Sequence, residues 1–221
     1  MLKALRKHAK YFYILFFIVI LTFIFWGVGP LDKPTEATIA EIGKEKISVQ
    51  EYWRTYERVK DFYRQIYGGQ FDQDMENKLK LKETVLNGLI EERILLIAAR
   101  ESGIKVTDQE LQDAIITDER FIRDGAFRKD VYLKTLQLNR LTPEVFENSV
   151  RQQLTLQKMR LLIWSAVDTT TYDMGNLSLD DKRMKEISQV ILSQKRERAL
   201  KSYIEGKKLK LNVKVNKELI S

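Results

Sequence analysis

The sequence predicts a mainly α-helical domain with a small antiparallel sheet, preceded by one transmembrane helix. Three observations carry that prediction. Pro and Gly number only 3 and 10 among 221 residues, so turns are few and helices long. Apolar residues recur at three- and four-residue steps through most of the chain, which is the period of a helix. Alternation with period two appears only near the two ends of the body, in residues 38–47 and 209–215.

Composition narrows the function classes. The chain is 44% hydrophobic and 31% charged, which suits a folded protein. It contains no Cys, so disulfides, cysteine-ligated metals and a thiol nucleophile are excluded. Its one His, His8, lies in the first ten residues, away from any folded domain. Acid–base or metal chemistry built on imidazole is therefore disfavoured. The expectation is a non-enzymatic protein with no cofactor and no metal site.

The net charge of +7 is uneven. Residues 1–30 carry +4 and residues 182–221 carry +8, which leaves −5 between them. The first of these excesses belongs to a membrane segment. Residues 11–28 read YFYILFFIVILTFIFWGV, without a charge. Eighteen helical residues rise about 27 Å, close to a hydrocarbon core of about 30 Å. Tyr11 and Tyr13 stand at one end of the run and Trp26 at the other, where amphipathic rings favour the interface. The cationic flank is N-terminal, which predicts a cytoplasmic N-terminus with the rest of the chain on the far side of the membrane. The run exceeds a signal-peptide core and no A-x-A site follows, so it reads as an uncleaved anchor. The expected division is 1–30 cytoplasmic tip and anchor, 31–37 tether, and 38–221 one helical domain. The short tether would keep that domain near the bilayer.

Within the body, Gly43-Lys44 interrupts the first alternation as a hairpin turn. Ser48 with Glu51 three residues on reads as a capping box. The helix it opens has Tyr52, Tyr56, Val59, Tyr63 and Ile66 on one face and stops at Gly68-Gly69. A longer helix is predicted from about Asp72 to Ser102, apolar nearly all round and therefore central. Thr107 and Glu110 form a second capping box opening a helix over Asp108–Ile116. A loop and a short helix to about Leu138 follow. Thr142-Pro143 caps and begins a helix to about Trp164. Residues 166–179 read as a loop, and a last helix spans from near Ser178 to Gly206. Leu209, Leu211, Val213 and Val215 then alternate with polar residues, which predicts a strand with one buried face pairing with the hairpin.

Candidate chemistry is sparse. Glu91-Glu92-Arg93 lies on one helix where adjacent residues do not face each other, so it reads as surface or ion-pairing. Asp72, Asp74 and Glu76 lack the Gly and the distant Glu of a calcium loop and read as helix N-terminal acids. The basic run from Lys195 to Lys210 has no nucleic-acid motif around it. It reads as a solvated helix face, with lipid headgroups or acidic clients as its other uses. Aromatic residues outside the membrane run are numerous. Most read as core, and Tyr56, Tyr63, Phe121, Phe127, Tyr132 and Phe146 are the candidates for an apolar binding groove.

Three stretches carry a resemblance. AEIGKEKISVQEY at 40–52 and KETVLNGLIEERILLIAARESGIKVTDQELQDAI at 82–115 resemble the opening and the central helices of the SurA N-terminal-domain family. The most specific is FIRDGAFRKDVYLKTLQLNRLTPEVFENSVRQQLTLQKM at 121–159, with Phe127, Tyr132, Thr142-Pro143-Glu144 and the Arg151 run. The anchor matches the family's membrane-anchored branch. The resemblance implies a SurA-N-like helical domain and a periplasmic chaperone for unfolded and outer-membrane proteins. The parvulin prolyl-isomerase domain that often interrupts the family has no room in residues 166–179, so a chaperone module without isomerase is implied. Expected partners are unfolded polypeptide clients, the membrane through residues 11–28 and the protein translocation machinery, with no nucleic acid. The alternative reading is a non-catalytic scaffold or accessory subunit of an inner-membrane complex.

Overall fold

The computed structural model describes residues 37–167 and 181–220, with side chains from residue 186 in the second stretch. The run at 11–28 and most of the predicted loop at 166–179 lie outside the described residues. Among the described residues, no helix is long and apolar enough to cross a membrane. The body is contained in the unit Thr38–Ser221.

The chain opens with β1 (Thr38–Ile42) and β2 (Glu45–Ser48), joined by a tight turn. Gly43 has φ +59 there, and a Cβ would lie 3.5 Å from Leu211 Cδ2. Helix α1 (Val49–Tyr67) starts where Ser48 Oγ accepts the Glu51 amide at 3.1 Å. The reciprocal half of the predicted box is absent. The Glu51 carboxylate instead accepts from Arg93 Nη2 at 2.8 Å, because a tertiary charge outcompetes a local amide.

The predicted helix over 72–102 is two helices, α2 (Gln73–Lys78) and α3 (Leu81–Glu101). Lys80 breaks them with φ 46 and ψ 48. The break lets α2 fold back so that Glu76, 4% exposed, accepts from the Tyr56 hydroxyl and from Lys60 Nζ, the latter at 2.8 Å. A continuous helix would put that carboxylate elsewhere. Helix α3 buries Leu81, Val85, Leu86, Ile90, Ile94, Leu95, Ala98 and Ala99, as expected of a central element.

Helix α4 (Asp108–Ile116) has both halves of the Thr107–Glu110 box. A two-residue ladder that the sequence reading missed follows, β3 (Ile122–Arg123) with β4 (Ala126–Phe127). Its turn is Asp124-Gly125, both at positive φ, which is the Asp-Gly hairpin signal. Then come α5 (Lys129–Leu138) and α6 (Pro143–Ser165), the latter capped by Thr142 as expected.

Helix α7 (Asp181–Lys210) passes through Gly206 instead of ending there. It closes on Asn212 at φ 50, with the Val213 amide donating to Lys208 O and the Asn212 amide to Leu209 O. This is a Schellman ending with Asn in place of Gly. The predicted strand over 209–215 therefore shrinks to β5 (Lys214–Val215), and Leu209 is 85% exposed where a buried face was expected. The predicted pairing does form. β5 runs antiparallel to β1, with Ala40 opposite Val215, and the sheet order is β2-β1-β5.

Two apolar clusters result. The larger joins the sheet, α1, α3, the C-terminal half of α6 and α7, with Ile39, Ile42, Ile47 and Ile94 at 0% exposure. The smaller gathers Leu111, Ile115, Phe121, Tyr132, Leu136 and Phe146. Helix α6 belongs to both, through Phe146 at one end and Leu156, Met159 and Ile163 at the other.

Candidate functional site

Four of the six candidate aromatics meet in the smaller cluster. Phe121 is fully buried and stands edge-on to Tyr132 at 5.0 Å, Phe146 at 5.6 Å and Phe127 at 6.4 Å between ring centroids. Such contacts bring the positive ring edge against the negative face. Tyr132 and Phe146 are buried and Phe127 is half-buried. The other two candidates lie on α1, in the larger cluster. Tyr56 is buried with its hydroxyl on Glu76. Tyr63 is half-buried and stacks on Tyr67 at 6.0 Å and Phe71 at 5.8 Å. Phe121, Phe146 and Tyr56 thus present no open face; they are the support on which more exposed apolar groups sit.

That support has a recess. A pocket of about 380 Å³ opens between α4, β4, α5 and α6, with Leu111, Ile115, Ile116, Phe127 and Tyr132 as its apolar wall. Asp108, Lys129, Glu147 and Arg151 stand at its rim. The size is at the lower end of ligand pockets and suits one or two large side chains. Tyr132 donates its hydroxyl to Glu147 Oε1 at 3.4 Å; burial and that carboxylate both raise its pKa. The hydroxyl stays protonated and the wall stays uncharged.

Beside it lies a larger cleft of about 900 Å³ between α3 and α6, bounded by β2. Leu89, Leu96, Ile104 and Val106 form its apolar part. Five of its charged side chains, Glu45, Glu51, Arg93, Arg100 and Arg151, are held in ion pairs. Arg93 reaches Glu45 at 3.2 Å and Glu51 at 2.8 Å, and Arg100 also pairs with Glu45. Burial pushes the Glu45 carboxyl up, but the hydrogen bonds from Arg100 and Arg93 outweigh it and hold the carboxyl below its ordinary value. Arg151 lines both recesses and donates to Val106 O and Asp108 Oδ1, each at 3.1 Å. It pins the start of α4 to α6.

Sequence reasoning missed Leu111, Ile115 and Ile116 as pocket wall, although their spacing on a capped helix was visible. The role of Arg151 leaves no local signal, because its partners lie 43 and 45 residues away. Arg93, expected at the surface or in an ion pair, forms one with Glu51. Among the described residues no group of three His, Cys, Asp or Glu side chains is placed to hold a metal ion. Apolar walls with neutralised rims are built to bind by contact and desolvation.

The family described as SurA-like N-terminal domain matches residues 1–160, and the chain belongs to that family. The chain is 29% identical over 150 residues to the periplasmic chaperone PpiD of Escherichia coli (strain K12), covering 66% of this chain and 24% of that protein. It is 26% identical over 147 residues to the periplasmic chaperone PpiD of Haemophilus influenzae, covering 65% and 24%. The foldase protein PrsA of Clostridium perfringens is 24% identical over 199 residues, covering 84% of this chain and 58% of the relative. The chain thus spans about a quarter of the length of the PpiD relatives it matches.

Proposed function

We propose that this member of the SurA-like N-terminal domain family is a membrane-anchored periplasmic chaperone. It holds unfolded or newly translocated envelope proteins and carries no isomerase step. The observation that carries the reading is the open pocket of about 380 Å³ on a rigid aromatic base. Five apolar or aromatic side chains face one recess there, and the adjoining cleft gives an extended chain room to continue. The relatives' names, periplasmic chaperone and foldase, support the same reading. Binding is by burial of client side chains, with little choice of sequence, and release follows client folding or hand-off. In this reading Phe127 and Tyr132 touch the client, while Phe121 and Phe146 hold them in place. Tyr63 supplies a second, outlying contact, with Tyr56 beneath it. Residues 1–30 form the cytoplasmic tip and single-pass inner-membrane anchor, 31–37 the tether and 38–221 the chaperone domain. The translocation machinery is the natural neighbour at the point where clients emerge.

The test uses the full chain in detergent micelles, titrated with a fluorescently labelled outer-membrane protein in unfolded and folded forms. Saturable binding to the unfolded form alone is the expected result. Ile116→Ser, at a position 38% exposed, should weaken it about tenfold, roughly 1.4 kcal/mol, without moving the thermal midpoint. Absence of binding to the unfolded form would sink the reading. Capture of one stoichiometric membrane partner instead would favour an accessory subunit.

A further inference from the structure

The end of α7 and the strand after it form a surface that the pocket reading does not use. Residues 195–217 hold nine Lys or Arg and two Glu, the densest excess of one sign in the described body. Part of that charge is spent internally. Lys207 packs over Tyr203 and pairs with Glu101, and Lys208 pairs with Glu205 at 2.8 Å. Arg198, Lys201, Lys214 and Lys217 are exposed and form no ion pair among the described residues. Arg198, Lys201, Glu205 and Leu209 lie on one helical face, at steps of three, four and four residues, and the one acid among them is neutralised by Lys208. Leu209 sits at the tip, between Lys208 and Lys210, and is 85% exposed. It owes that position to the Schellman ending, which keeps 209 helical and turns it outward.

We infer that this face docks on an anionic lipid surface, as a contact additional to the anchor. The charge complement is direct: exposed Lys and Arg near a bilayer are attracted to acidic headgroups. Leu209 selects the bilayer over an acidic polypeptide or nucleic acid. A leucine ringed by lysines has no use against a hydrated anionic chain, but it can enter the boundary between headgroup and acyl chain. Docking there would fix the orientation of the domain and with it the direction in which the client pocket faces. The inference rests on the periplasmic, membrane-anchored reading above.

The chain has no native Cys, so a single label reports the contact cleanly. The experiment places a polarity-sensitive dye on Leu209→Cys in the full chain. The labelled chain is mixed with vesicles of phosphatidylcholine alone or of phosphatidylethanolamine with phosphatidylglycerol. A blue shift and several-fold rise in emission with phosphatidylglycerol, reversed by salt, is the expected result. Arg198→Gln with Lys201→Gln and Lys210→Gln should abolish the shift, and a dye on Phe62→Cys at the outer end of α1 should not respond. Flotation with both vesicle types but no shift at 209 leaves the anchor standing and overturns this docking. Flotation and shift only with phosphatidylglycerol supports the docking and overturns the anchor. An equal shift with polyglutamate and no lipid would make the partner an acidic polypeptide and overturn the lipid assignment.

Discussion

Glu76 is the one buried charged residue among the described residues, and two donors compensate it. Burial alone would raise its pKa, but hydrogen bonds from Lys60 and Tyr56 outweigh that and lower it from the ordinary 4.5. A carboxyl depressed in the folded state stabilises the fold above its unfolded pKa, and that contribution is lost as pH falls through the folded value. Glu76→Gln should therefore cost about 1–2 kcal/mol at neutral pH. Urea titrations should show the gap to the wild type closing below pH 4.5. A gap that persists at low pH would mean the charge contributes nothing. Phe121 makes a different kind of contribution. It is 0% exposed and touches three other rings, so Phe121→Ala leaves a cavity and should cost about 3–5 kcal/mol. Amide exchange should rise across 108–146 before it rises in α3, because the two clusters are separate.

At the scale of elements, the starts of helices obey local rules. Thr107 and Thr142 cap as their sequence requires, and Ser48 does so by one of the two expected bonds. The hairpin turn is equally local: Gly43 at φ +59 is where a Cβ is strained. Gly43→Ala should cost about 1 kcal/mol by thermal melting, most of it from the left-handed backbone. Ends and breaks follow other logic. Lys80 interrupts a periodic apolar stretch where α2 folds back to bring Glu76 to Tyr56, and α7 overruns Gly206 to end at Lys210, with the left-handed Asn212 closing it. The period-two pattern over 209–215 was real, but a helix end and a capping turn consumed most of it.

At the scale of the molecule, residues 214–220 return to the first strand of the described body. β5 completes a three-stranded sheet on β1, and Ile220 is buried in the larger cluster at 6% exposure. A hairpin without that third strand is marginal in water. Removing residues 211–221 should therefore lower the thermal midpoint by several degrees, about 2–4 °C for each kcal/mol lost in a domain of this size. An unchanged midpoint would show that the sheet is not part of the cooperative unit. Helix α6 crosses from one cluster to the other, so the pocket of about 380 Å³ and the main core share one element.

The helical class, the succession of the main helices, the Thr107 and Thr142 caps, the Gly43 turn and the candidate aromatics are legible in the chain alone. Those features arise from interactions within about four residues, or from a period repeated along one face. Which aromatics are open depends on packing between distant segments. Phe121 and Phe127 look alike in sequence, yet one is the base of the pocket and the other its wall. That packing also decided the break at Lys80, the pairing of Arg93 with Glu45 and Glu51 across 48 and 42 residues, and the two roles of Arg151. Burial and long-range pairing depend on which surfaces the chain brings together, and that information resides in no single stretch.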